Sequence, residues 1–160
     1  GVAYLFTKAP KITLASTSIT GVQGTSGSAS PQEANSTIRI DVEAVAGDIY
    51  VMPVSATYGS SGLSATTSVP ASLPVIETIS TDALLVADEA YKISAGEKKW
   101  FEYKVNMVTN TTAGDFFAHA KPVHIIWDTT NDSTTWAAGM PQTWVVDEFR
   151  TTDLLMKATI

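Results

Sequence analysis

The chain has 160 residues, no cysteine, a net charge of −6 and a sequence pI near 4.7. The lack of cysteine excludes disulfides and thiol chemistry, and ten scattered basic residues argue against nucleic acid or an anionic membrane surface as a partner. At 44% hydrophobic the chain can bury a core without cross-links, and its length favours one domain.

Serine and threonine make up about a quarter of the chain, whereas charged residues make up only 16%. This composition is typical of secreted and surface-exposed β proteins, and it predicts an extracellular or cell-surface location. No stretch approaches the ~20 apolar residues that span a bilayer, so we expect no membrane insertion. The chain opens on Gly1 without an initiator methionine, and we expect a processed product or a piece of a longer protein.

The first predicted element is an apolar run at residues 2–6, which Pro10 separates from the strand that follows. We expect an N-terminal strand or linker over residues 1–10 and a domain over residues 11–160. The run could pair inside its own domain or complete a neighbouring sheet by strand addition, and the sequence leaves both open. The candidate assembly residues are Val2, Tyr4, Leu5 and Phe6.

Alternation of apolar and polar residues predicts strands over residues 37–45 and 99–108. Their apolar members fall on one face, and we expect them in one shared core: Ile38, Ile40, Val42, Phe101, Tyr103, Val105 and Met107. Residues 46–48 are predicted as a hairpin tip, so that residues 49–52 return beside the first of these strands.

Residues 74–90 fit either strands or a short helix capped by Asp82, and the β character of the rest favours strands. Further strands are predicted over residues 11–19, 63–69, 116–127, 144–149 and 154–159, with loops over residues 21–35, 109–115 and 129–142. The pattern predicts an all-β fold, an Ig-like antiparallel β-sandwich with seven to nine strands.

The two histidines are the first residues to test as metal ligands. His119 and His124 lie five residues apart on one predicted strand, so they face opposite sides unless a bulge at Pro122 shifts the register. We expect two hydrogen-bonded strand histidines and no metal site.

The loop at residues 128–143 carries the candidate ligand-binding residues. Trp136 could stack on a sugar ring, although such a residue more often caps the open end of a core. The loop oxygens could serve a ligand or calcium, but they lack the alternating positions, glycine and terminal glutamate of an EF-hand loop. We expect a solvated loop at its acidic and amide residues, Asp128, Asn131 and Asp132.

Three Asn-X-Ser/Thr sequons fall in predicted loops, where a glycan would be tolerated: Asn35, Asn110 and Asn131. The sequence contains no Gly-x-Ser-x-Gly elbow and no phosphate-binding loop. We therefore expect no enzymatic activity and no cofactor.

Three stretches carry a resemblance to a known group: Tyr4-Leu5-Phe6-x-Lys8-Ala9-Pro10-x-Ile12-x-Leu14, the run from Ile38 to Val51, and Asp-Glu-Phe-Arg-Thr-Thr-Asp at 147–153. The chain resembles Ig-like domains at the C-terminal ends of large surface proteins of uncultured candidate-phylum bacteria. The resemblance implies an extracellular β-domain of a repetitive surface protein, and it transfers no functional residues.

We therefore expect a non-enzymatic extracellular structural domain of a cell-surface, surface-layer or filament-forming protein. Its expected partners are copies of itself or neighbouring domains of the same protein, joined by strand addition. One alternative is a carbohydrate-binding or adhesive module that uses Trp136 and the 128–143 loop. Another is a decoration domain of a phage or virion.

Overall fold

The structure is a computed structural model that describes residues 7–22, 33–52, 63–69, 75–86, 90–108, 116–132, 142–144 and 148–156. These residues form strands and turns without a helix, which confirms the all-β class. In this part of the chain no helix is long and apolar enough to cross a membrane. The strands are β1 (Ala9–Val22), β2 (Glu33–Val45), β3 (Ile49–Val51), β4 (Leu63–Thr67), β5 (Val75–Thr81), β6 (Leu84–Leu85), β7 (Tyr91–Ile93), β8 (Lys98–Val108), β9 (Phe116–Ala118), β10 (Ala120–Asp128), β11 (Gln142–Trp144) and β12 (Leu154–Met156).

A four-stranded antiparallel sheet has the order β1-β2-β8-β5. Its central strands, β2 and β8, pair along the whole of β8, from Glu33 opposite Val108 to Glu43 opposite Lys98. Buried apolar residues alternate along both strands with more exposed polar ones, as the two-residue period of a strand dictates. The sheet therefore has one face in the core and a polar outer face.

A six-stranded sheet is built around β10, with the order β11-β10-β3-β7-β6 and with β4 also paired to β10. Ile125 pairs with both Trp144 and Leu63, so β11 and β4 flank β10 on opposite sides. A two-stranded sheet joins β12 to β9. Ser68, which follows β4, ties the junction, because its hydroxyl donates to the Phe117 carbonyl at 2.7 Å and accepts the His119 N–H at 2.9 Å.

One hydrophobic core joins the three sheets. The seven residues predicted to share a core are all in it, each at most 2% exposed, so that prediction is confirmed. The six-stranded and two-stranded sheets contribute the opposing side chains, among them Ile49, Val51, Ile93, Ala118, Ile125, Trp127 and Met156. Each large aliphatic or aromatic side chain buried here contributes roughly 1.5–3 kcal/mol. Core packing is therefore the main stabilising term.

Two register shifts keep the core faces of long strands continuous. Between Leu14 and Ser16 of β1 the shift leaves Ala15 without a partner in the register. Even-numbered residues before it and odd-numbered residues after it consequently share one face. In β10 a shift between Pro122 and His124 acts alike, because Ala120 before it and Ile125 after it both lie in the core.

The predicted hairpin at residues 46–48 is wrong. β2 is flanked by β1 and β8, which leaves it no free edge, and β3 pairs with β7 and β10 instead. The connection crosses between sheets, with Ala46 in the left-handed region at φ 62°. The Asp48 carboxylate holds the crossing in place, since it accepts the Ala95 N–H at 2.9 Å and contacts Lys92 Nζ at 2.9 Å.

Other boundaries also differ from the prediction. β1 and β2 extend into the predicted loop at residues 21–35, and the strand predicted over residues 116–127 breaks at His119. Residues 148 and 149, at the end of the strand predicted over residues 144–149, lie outside the strands. The strand interpretation of residues 75–85 is confirmed, and the Asp82 carboxylate accepts the Trp100 N–H at 2.8 Å rather than capping a helix. The described residues therefore form twelve strands, not seven to nine.

Candidate functional site

Several predicted site residues lie outside the described residues: Val2, Tyr4, Leu5, Phe6, Asn110 and Trp136. Their roles in assembly, glycosylation and glycan stacking stay predictions. The structure does place the remaining predicted residues, and of these Asn35 lies opposite Thr20 of β1.

Asp128 ends β10 and closes the turn that follows it. One of its carboxylate oxygens accepts the N–H groups of Thr129 at 2.6 Å and Thr130 at 3.3 Å. Asn131 is half-buried and Asp132 is exposed just beyond this turn. Within the described ranges no three His, Asp or Glu side chains gather to hold a metal ion.

The sequon at Asn35 lies in a strand, so the prediction that it falls in a loop is wrong. Asn35 is exposed on the outer face of β2, where its Oδ1 accepts the Asn106 side-chain amide of β8 at 2.8 Å. On the same face the Arg39 guanidinium lies 4.4 Å from the centroid of the Trp100 ring. This stacking covers one face of Trp100, a residue that would otherwise offer a sugar-binding platform.

The two histidines do not lie on one regular strand. His119 lies in the break between β9 and β10, and His124 follows the register shift at Pro122. The bulge at Pro122, which would be needed to place both histidines on one face, is thus present. The His119 side chain nevertheless already has a partner. Its Nδ1 lies 2.9 Å from Asp153 Oδ1, and Arg150 contacts the other carboxylate oxygen at 3.1 Å.

The most unusual feature of the surface is the edge of the four-stranded sheet formed by β1, 14 residues long. Ala44, opposite Pro10, directs its N–H to Glu97 and its carbonyl to Gly96, away from β1. Alternation along an antiparallel ladder then aims one set of β1 backbone groups outward. The set comprises Pro10, Ile12, Leu14, Thr17, Ile19 and Gly21.

The side chains of that same set face the core, but they cover it incompletely. Ile12 and Ile19 pack partly buried against the core cluster, and Leu14 remains 41% exposed. From Ile12 to the end of the strand β1 carries no charged residue. Lysine, proline and inward-pointing charges are the usual means of blunting an edge, and here only Pro10, Lys11 and the bulge at Ala15 serve that purpose.

The opposite edge, β5, is different because it carries an inward-facing carboxylate. Glu77 lies opposite Val105 in the register, on the core side of the strand. Its Oε1 accepts the Ala65 N–H of β4 at 2.7 Å, which links the two larger sheets. Glu77 was not among the predicted site residues, although the pattern Val75-Ile76-Glu77-Thr78-Ile79 places a charge in the middle of an apolar face.

No protein-family model, no curated protein and no solved structure matches the chain.

Proposed function

We propose that this chain is a non-enzymatic structural domain of an extracellular, cell-surface or filament-forming protein, with an Ig-like sandwich architecture, and that its copies assemble by strand addition. The observation that carries the proposal is the long β1 edge, whose outward backbone groups have no strand partner among the described residues. The hydroxyl-rich composition and the resemblance to surface-protein domains support the location.

Backbone pairing supplies the first part of the binding energy. Pro10 has no N–H, so the outward set of β1 offers five N–H groups and six carbonyls to an added strand. Each hydrogen bond that replaces one to water contributes about 0.5–1.5 kcal/mol net. A strand pairing along even half of β1 therefore gains several kcal/mol before side chains are counted.

Side-chain burial supplies the second part. An added strand places every second side chain beside Ile12, Leu14 and Ile19, which the present structure leaves partly exposed. A strand with alternating apolar residues is the complement that this edge requires.

The occupant that we propose is the segment of residues 2–6 from a second copy. Val2, Tyr4 and Phe6 alternate along it and would face the core side of the receiving sheet. Donor and acceptor are different surfaces, so the contact is head-to-tail and has no built-in closure. Repetition yields a filament or an array.

Two edge variants test the proposal by sedimentation velocity over a concentration series. Leu14→Lys places a charge on the core side of the edge, and Thr17→Pro removes one outward N–H without taking a bond from β2. Both variants are expected to remain folded and monomeric where the unmodified chain assembles. Leu85→Lys on β6, which alters a leucine that is 54% exposed, and Thr17→Ala are matched controls that should assemble normally.

Deletion of residues 1–6 identifies the occupant. The shortened chain should fold, remain monomeric and bind a peptide of residues 1–9. Assembly that persists in Leu14→Lys and Thr17→Pro would overturn the β1 edge as the acceptor. A shortened chain that fails to fold would show that residues 1–6 are an ordinary strand of their own domain.

A further inference from the structure

The β5 edge of the four-stranded sheet exposes large apolar side chains. Val75 is 42% exposed on the core side of the strand, and Ile76 is 63% exposed on the outer side. β5 is seven residues long and closes the four-stranded sheet opposite β1. An edge with these exposed side chains would be expected to attract another strand.

Glu77 lies between these residues and the centre of the strand, facing inward. Its side chain is still exposed to solvent at the open edge, but the neighbouring strands partly shield the carboxyl. This partial burial raises the pKa of the carboxyl, and the Ala65 N–H opposes that shift. Among the described neighbours only one other ionisable side chain, the phenol of Tyr103 on β8, faces it. β4 supplies no ionisable group, and no cation among the described residues lowers the pKa of Glu77.

Partial burial disfavours the ionised form of this carboxylate, whereas its hydrogen bond to Ala65 favours it. Its position does have a consequence for association. A strand added to β5 would cover Glu77 and remove still more water from the charge, without providing a counter-ion.

The symmetric case is the most unfavourable. Two copies of β5 overlap over all seven residues when Thr78 meets Thr78 across a two-fold axis, which places Glu77 opposite Ile79. The two carboxylates then lie diagonally on one face, about 7–8 Å apart between Cα atoms. Like charges at this spacing in a water-poor interface repel one another.

We propose that Glu77 is a charge guard that prevents β5 of one copy from pairing with β5 of a second copy. Without the charge, the two four-stranded sheets would join edge to edge across a two-fold axis into one continuous sheet. This inference does not depend on strand addition at β1, since it concerns the opposite edge of the sheet.

A cysteine cross-link tests the pairing directly, because the chain contains no cysteine of its own. Thr78 forms its backbone bonds towards β8, so in the two-fold pair the two Thr78 residues face each other at disulfide distance. We compare disulfide formation at neutral pH in Thr78→Cys with and without Glu77→Gln. Neutralising Glu77 should make the cross-linked dimer form about fivefold faster or more.

Two matched variants control the result. Ser80→Cys lies on the same face of the same strand, but the two introduced thiols are too far apart in this register to bond, so Glu77→Gln should not make them cross-link. Glu102→Gln removes a carboxylate from the outer face of β8 and should leave the Thr78→Cys rate unchanged. The proposal is overturned if Glu77→Gln does not accelerate the Thr78→Cys cross-link, or if Ser80→Cys cross-links equally fast.

Discussion

Hydroxyl groups inside the core are of two kinds. Thr151 is buried and pairs twice with Ala120, since its Oγ1 accepts the Ala120 N–H at 3.1 Å and its backbone N–H donates to the Ala120 carbonyl at 2.9 Å. Tyr103 and Ser36 are also buried, but neither hydroxyl has a hydrogen-bond partner within the described part of the chain. Burial and the nearby Glu77 charge both raise the pKa of the Tyr103 phenol, so it stays neutral. The first kind of group stabilises the fold through its hydrogen bond, whereas the second destabilises it because it loses its hydrogen bonds to water on folding.

Exchanging each hydroxyl for its apolar isostere should separate the two kinds. Tyr103→Phe removes an unsatisfied group, so the free energy of unfolding should stay the same or rise by up to about 1 kcal/mol. Thr151→Val leaves the Ala120 N–H unpaired and should lower it by about 1–3 kcal/mol. Urea denaturation measures both. A Tyr103→Phe variant as unstable as Thr151→Val would show that the phenol has a partner.

Glu77 should make stability depend on pH in a recognisable direction. In the unfolded chain its pKa has the ordinary value of 4.5, and in the folded protein it is raised. Between these two values the folded state binds more protons, so the free energy of unfolding falls as pH rises. Glu77→Gln lacks this contribution.

The difference in unfolding free energy, Glu77→Gln minus the unmodified chain, should therefore be larger at about pH 7 than at about pH 4. Urea titrations across this range measure it, and the other carboxylates cancel in the subtraction. If the difference in unfolding free energy shrinks as pH rises, the pKa of this carboxyl is not raised in the folded protein.

At the scale of elements, the two register shifts are what allow long strands to serve one core. β1 would otherwise turn either Leu14 or Ile19 to the wrong face, because one is even-numbered and the other odd. The shift also interrupts the regular edge of β1 at Ala15, which limits how far a partner can pair without a break.

Deletion of Ala15 should regularise β1 without changing which residues face the core. The free energy of unfolding should stay within about 1 kcal/mol of the original, and self-association should increase. Deletion of Thr13 is the control, because it must misplace either Ile12 or Leu14 and should cost about 1–3 kcal/mol. Urea denaturation and sedimentation velocity measure the two effects. If removing Ala15 is as damaging as removing Thr13, the bulge is needed by the fold.

The sequence could predict the features that depend on local alternation, but not those that depend on which distant strands pair. The core faces of β2 and β8 follow from alternation within each strand, which is a local property, and they were predicted correctly. The partner of β3 is not local, and Gly47-Asp48 signals a turn equally well in a hairpin and in a crossing between sheets. The role proposed for Glu77 could not be predicted from the sequence. It depends on β5 being an edge strand, which follows only from the order of the strands in the sheet.

At the scale of the molecule, the four-stranded sheet is unequal at its two sides. On one side β1 offers a long row of backbone groups and incompletely covered apolar side chains. On the other side β5 is shorter, and its inward carboxylate is hydrogen-bonded to the opposite sheet. This inequality favours growth in one direction over a symmetric pair, as the proposed strand addition requires.

The central pairing of β2 with β8 also has a consequence for the order in which the protein is made. Ile40 pairs with Phe101, and Glu33 pairs with Val108. A ribosome adding about 5–20 residues per second takes several seconds to pass from the one strand to the other. Throughout that interval β2 can pair with only one of its two neighbouring strands, β1. The four-stranded sheet can therefore be completed only after β8 has emerged. The speed of translation between the two strands sets the length of this delay.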